Sequence, residues 1–93
     1  MILTFADKEA ERLFHGESSK RIPADIQRRA LRKLLMIDAS ANINDLRVPP
    51  SNHLEKLQGA RSHQHSITIN DQWRACFTWR ANNAYDVSIE DYH

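Results

Sequence analysis

Over the last third of the chain, Gln64 to His93, apolar and polar residues alternate in three runs. The breaks between them are Asn70-Asp71-Gln72 and Ala81-Asn82-Asn83, and short polar breaks between alternating runs predict an antiparallel meander. In the middle run Trp73, Ala75, Phe77 and Trp79 share one face at period two, and Arg74, Cys76, Thr78 and Arg80 share the other. In the last run Tyr85, Val87 and Ile89 form a matching apolar face. One side of the sheet must therefore bury aromatic area. The other is polar, carries arginines and is suited to hold something negative.

Upstream, Ile2, Leu3 and Phe5 suggest a short strand that docks on this sheet. Asp7 is placed to cap a helix with Glu9 and Glu11 in its first turn and Ala10, Leu13 and Phe14 as its apolar stripe, ended by His15-Gly16. Pro23 opens the longest helix, in which Ile26, Ala30, Leu34 and Ile37 recur at helical spacing and Leu31 and Leu35 widen the stripe. That stripe should pack on the Trp73–Trp79 face. Arg28, Arg29, Arg32 and Lys33 lie mostly opposite and read first as a solvated face. Asn42 to Leu46 fits one helical turn, Pro49-Pro50 forces extended backbone, and Ser51 to Arg61 reads as a polar loop pinned by Leu54 and Leu57. There is no internal repeat.

Length bounds this picture: 93 residues predict one domain, 1–93, with a modest core. With 41% hydrophobic and 27% charged residues, the composition is that of a soluble globular protein. A net charge of +1 does not by itself identify a nucleic-acid binder. Cys76 is the only cysteine, so no internal disulfide forms and a reducing cytoplasm is the expected compartment. The start of the chain lacks the basic and long apolar parts of a signal peptide, and no apolar run approaches a membrane span.

Among candidate chemistries, His53, His63 and His65 lie close in sequence, but only His63 and His65 share a side if extended, and two imidazoles without a clear third ligand are weak evidence for a metal. No glycine-rich phosphate loop or serine-hydrolase elbow is present. The remaining polar inventory is Glu55, Lys56, Gln58 and Arg61 from the loop, Arg74 from the middle strand, and Asp91, Tyr92 and His93 at the end. Such a set suits metal-free RNA cleavage, in which the ribose 2′-hydroxyl loses a proton, the 5′-oxygen gains one and charge builds on the phosphate. A terminal histidine taken alone is more often a solvated tail than a catalytic group.

The motif Ile69-Asn70-Asp71-Gln72-Trp73-Arg74, with Phe77, Trp79 and a final Glu90-Asp91-Tyr92-His93, resembles the HigB-type toxins of the RelE/ParE toxin–antitoxin superfamily. Pro49-Pro50, Leu54-Glu55-Lys56-Leu57, Gly59 and Arg61 match the same pattern, and the resemblance covers essentially the whole chain. It implies an α+β, RelE-like fold: an N-terminal strand and two helices packed on a curved antiparallel β-sheet. It also implies a cofactor-free, ribosome-dependent mRNA endoribonuclease that arrests growth, acting on the ribosome and its mRNA. The implied partner is a helix-turn-helix, HigA-like antitoxin that represses their shared operon. Asp91, Tyr92 and His93 match the family's C-terminal functional residues, Arg74 the arginine after the strand tryptophan, and Arg61 a basic loop position. Some relatives carry a histidine in place of Glu55 and a lysine in place of Gln58. Glu55 can still exchange protons, whereas Gln58 supplies no charge, so phosphate stabilisation falls on Arg61, Arg74 or Lys56 and a mild toxin is expected.

The implied roles are proton removal or nucleotide orientation by Tyr92 or Glu55, proton transfer by His93 with Asp91 orienting it, and phosphate binding by Arg61 and Arg74. Two rivals share these elements. A ParE-like gyrase inhibitor needs no proton-transfer group at its terminus, and a non-enzymatic interaction module would use the basic helix alone.

Overall fold

In the computed structural model the described residues are 1–91, so Tyr92 and His93 lie outside them. Two helices, α1 (Lys8–Phe14) and α2 (Ala24–Ala39), precede four strands, β1 (Glu55–Lys56), β2 (Gln64–Thr68), β3 (Trp73–Arg80) and β4 (Asn83–Asp91). The strands form one antiparallel sheet in the order β1-β2-β3-β4. Both predicted breaks are turns. Asn70 Oδ1 accepts from the backbone N–H of Gln72 and Trp73 at 2.9 and 2.7 Å, closing the first. Ala81 and Asn82 stand at φ 52° and 62°, the two left-handed positions of a tight hairpin turn.

Asp7 caps α1 through Glu9 N–H at 2.9 Å, and its other carboxylate oxygen accepts from Ile89 N–H at 3.1 Å and from Arg21. One side chain thus starts the helix and ties it to β4. Gly16, at φ 85°, follows the end of α1 in the conformation that glycine tolerates best. Pro23 is the N-cap of α2 rather than its first helical residue, and Ile26, Ala30, Leu34 and Ile37 are buried. They join Ile67, Ala75, Phe77, Val87 and Ile89 in the core, so the helices cover the Trp73–Phe77 face as its periodicity requires.

Several expectations are corrected. In place of an N-terminal strand, Ile2 and Phe5 make isolated parallel bridges to Ala84 and Val87. A bulge in β4 prevents a continuous ladder: Asp86 stands at φ 53°, the β3–β4 register shifts between Cys76 and Thr78, and Thr4 Oγ1 takes the Asp86 N–H at 2.8 Å. The same extra residue reverses the alternation before it. Ala84 and Val87 are buried, while Tyr85 aligns with Thr78 on the opposite face, with the Arg80 guanidinium 4.2 Å from its ring centre. The sheet is also not strongly curled; its outer strand β1 has only two residues.

Further corrections concern the polar segments and Lys33. Ser51 to Arg61 is not simply a loop, since Pro50–Asn52 and Gly59–Arg61 are 3₁₀ turns flanking β1. The helical turn expected from Asn42 to Leu46 is present as a 3₁₀ turn, Ile43–Arg47, with an Asn42/Asp45 capping box. Lys33 does not belong to the solvated face of α2. It is buried and donates to Oδ1 of Asn52, itself fully buried and bonded to Leu46 O at 3.2 Å and Val48 O at 3.4 Å. Burial lowers the Lys33 pKa, with Arg29 and Arg32 adding to the effect.

Candidate active site

The helix-free face of the sheet is set by cross-strand pairing. Glu55 lies opposite Ser66, Ser66 opposite Cys76, and Cys76 opposite Ser88. In the adjacent row Thr68 lies opposite Arg74, and Arg74 opposite Glu90. Directly opposed residues project from the same side of a sheet, so Glu55, Arg74 and Glu90 share one face.

Arg61 reaches this face from its 3₁₀ turn. Its Nη1 and Nη2 donate to the two oxygens of Glu90 at 2.8 and 2.6 Å, and its Nε donates to Gln64 Oε1 at 2.8 Å. Ser88 Oγ also donates to Glu90 at 2.7 Å. This fork-to-fork geometry fixes the guanidinium plane and leaves two of its five N–H outside these three bonds. The Arg61 hydrogen bonds, followed by that of Ser88, outweigh desolvation and hold the Glu90 carboxyl at about 2. Beneath them Cys76 is fully buried, and burial, then the Glu90 charge, pushes its thiol up to about 11. It therefore stays protonated at neutral pH and is a packing residue, not a nucleophile.

The depressed Glu90 pKa has a pH signature. A carboxyl held below its ordinary 4.5 stabilises the fold fully above that value, and the contribution is lost as pH falls through about 2. Arg61 and Glu90 side chains are 40% and 30% exposed, so solvent screening reduces the effect to about 1 kcal/mol. Glu90→Gln is expected to lower stability by that amount between pH 5 and 7 and to match the unsubstituted chain near pH 2. Urea unfolding across this range measures it.

The other expected site residues divide. Lys56 pairs with His65, which stacks on Phe77 at 6.2 Å, so Lys56 projects from the helix-covered side at the sheet edge and does not join Arg61 and Arg74. Burial first, then Lys56 and Arg47, lowers the His65 pKa. Gln58 is exposed and immediately precedes the Gly59–Arg61 turn. Asp91 pairs with Trp73 at the end of β4 and accepts from Gln72 Nε2 at 2.9 Å, one residue beyond Glu90 and so on the other side of the strand. Tyr92 and His93 lie outside the described residues. Among the described residues no group of three or more His, Cys, Asp or Glu is arranged to hold a metal ion.

Sequence reasoning missed Glu90 and Gln64 as partners of Arg61. The signal for Glu90 was present in part: alternation from Ile89 puts it on the polar face, which also carries Arg74. Nothing in the sequence indicated that Gln64 would seat Nε.

A family model described as the RelE-like toxin of the type II toxin–antitoxin system HigB matches residues 3–93. The chain belongs to this toxin family. Toxin HigB-1 of Vibrio cholerae serotype O1 is 39% identical over 93 residues, covering 99% of this chain and 98% of that protein. An uncharacterized protein of Haemophilus influenzae is 37% identical over 78 residues, 84% of this chain and 77% of the relative. Membership makes the chain the toxin half of a two-protein system, with a cognate antitoxin as partner. No helix among the described residues is long and apolar enough to cross a membrane.

Proposed function

We propose that this toxin is a ribosome-dependent mRNA endoribonuclease, a single toxin domain spanning 1–93 that acts in the cytoplasm and is held in check by a helix-turn-helix, HigA-like antitoxin. The observation that carries the reading is the arginine-bearing face: Arg61, locked by Glu90 and Gln64, shares a helix-free side of the sheet with Arg74 and Glu55. Two guanidinium groups on one side of the sheet suit a phosphate whose charge grows in the transition state. Family membership supplies the biological context.

In this reading Arg61 presents its remaining N–H groups to the scissile phosphate, and Arg74 adds a second cation. Glu55 or Tyr92 takes the 2′-hydroxyl proton, His93 protonates the leaving 5′-oxygen, and Asp91 orients His93. Tyr92 also offers a ring on which a base can stack. Lys56, on the far side of β1, contributes only long-range charge. Both proton transfers and charge stabilisation are assigned to side chains, so the reading calls for no cofactor. The test compares cleavage of translated and free mRNA with plasmid supercoiling by gyrase. Breaks confined to translated message support the reading; intact message with lost supercoiling assigns the toxin to gyrase inhibition instead.

Gln58 provides a graded check. Gln58→Lys puts a cation at the start of the turn that delivers Arg61 and is expected to speed cleavage by up to about tenfold. A slower variant with unaltered ribosome binding would show that Gln58 is remote from the scissile phosphate.

A further inference from the structure

A cleft of about 510 Å³ lies between α2, the Pro49–His53 segment and the β2–β3 turn. Its cations are Arg29, Arg32 and Lys33, one helical turn of α2, with His53 across from them. Among the described residues neither arginine forms an ion pair: Arg29 donates only to Ile69 O at 3.4 Å, and the three salt bridges present involve other arginines. Arg29 and Arg32 both depress the Lys33 pKa after burial, as uncompensated like charges do. Asp71 is the one carboxylate on the cleft wall and pairs with none of them. A concave surface carrying this much unneutralised charge calls for an anionic occupant.

The wall residue Thr68 says which kind. It lines the cleft and also lies opposite Arg74 on the helix-free face, so the cleft and the arginine-bearing face meet at one end of the sheet. We propose that the cleft is a second RNA-backbone site, in which Arg29 and Arg32 hold phosphates of the strand whose scissile phosphate lies at Arg61 and Arg74. The inference rests on the RNA reading of the open face. It gives α2 a binding role where a solvated face was the first expectation. Lys33 serves as a buried support for the cleft wall through Asn52, so it is left intact in the test.

The experiment measures binding of a short fluorescein-labelled single-stranded RNA against salt concentration. It compares the unsubstituted toxin, Arg29→Ala/Arg32→Ala and the charge-retaining Arg29→Lys/Arg32→Lys. Antitoxin binding and single-turnover cleavage are followed alongside. Each phosphate contact to single-stranded nucleic acid contributes about 0.7 to the log–log salt slope, so the alanine pair is expected to flatten it by about 1.4 while the lysine pair retains it. Cleavage at sub-saturating ribosome concentration should fall in the alanine pair in step with its weaker binding and be retained by the lysine pair. An unchanged slope in the alanine pair, or equal loss in both pairs, overturns the proposal. Loss of antitoxin binding with RNA binding intact overturns it in favour of a protein surface. Absence of RNA binding and cleavage by the unsubstituted toxin would remove the open-face reading and this one together, whereas normal cleavage with an unchanged slope removes only the cleft.

Discussion

Phe77→Ala is expected to destabilise the toxin by about 3–5 kcal/mol, the largest stability loss of any substitution considered. Phe77 is fully buried at the centre of β3, where it meets His65 at 6.2 Å on one side and Trp79 at 6.2 Å on the other. It also lies opposite the β4 bulge, where the register shifts between Cys76 and Thr78. Truncation removes a ring from the core and leaves a cavity that a twisted, bulged strand cannot easily close. A small domain has about 5–15 kcal/mol in all, so the variant should melt far earlier or fail to fold. Thermal and urea unfolding measure the loss, and a value under about 1 kcal/mol would show that the β3 face is not the core.

The burial of Phe77 follows from alternation alone, whereas several neighbouring positions depart from it. Trp73, Ala75 and Phe77 obey period two because an unbroken strand must. Tyr85 departs from it because one additional residue at Asp86 inverts the faces, and a left-handed aspartate has no hydropathy signal. Lys33 departs because a long apolar stem can be buried while its amine finds Asn52, a partner nineteen residues on with no local pattern linking them. The helices were legible through Asp7, Gly16 and the Ile26–Ile37 spacing. The turns around β1 were not, since short 3₁₀ segments follow from tertiary closure more than from propensity. At the candidate site, Arg61 and Arg74 were legible as cations, but the clamp on Arg61 depends on Glu90, twenty-nine residues away.

His93→Ala carries the largest expected loss of activity. Loss of a positioned proton-transfer group typically lowers the rate by about 10²–10⁴. An imidazole titrates near neutrality and can give or take the proton of this reaction. If His93 acts in catalysis alone, its replacement should change stability by no more than about 0.5 kcal/mol. The variant is therefore expected to fold, to bind antitoxin and to lose most cleavage and toxicity. Cleavage on programmed ribosomes and antitoxin binding, measured in parallel, separate the outcomes. Undiminished cleavage would remove His93 from the mechanism, and joint loss of both activities would indicate misfolding.

The proposed chemistry has the ribose 2′-hydroxyl attack its own phosphodiester, with Arg61 and Arg74 stabilising the phosphate. Two products must follow, a 2′,3′-cyclic phosphate on the upstream fragment and a 5′-hydroxyl on the downstream one. The most direct measurement uses a message carrying a single 2′-deoxynucleotide at the mapped cleavage position, presented on programmed ribosomes beside its all-ribose counterpart. The expected result is a 5′-hydroxyl fragment from the ribose message and no break at the deoxy position. Continued cutting there, or a downstream fragment bearing a 5′-phosphate, would contradict the mechanism.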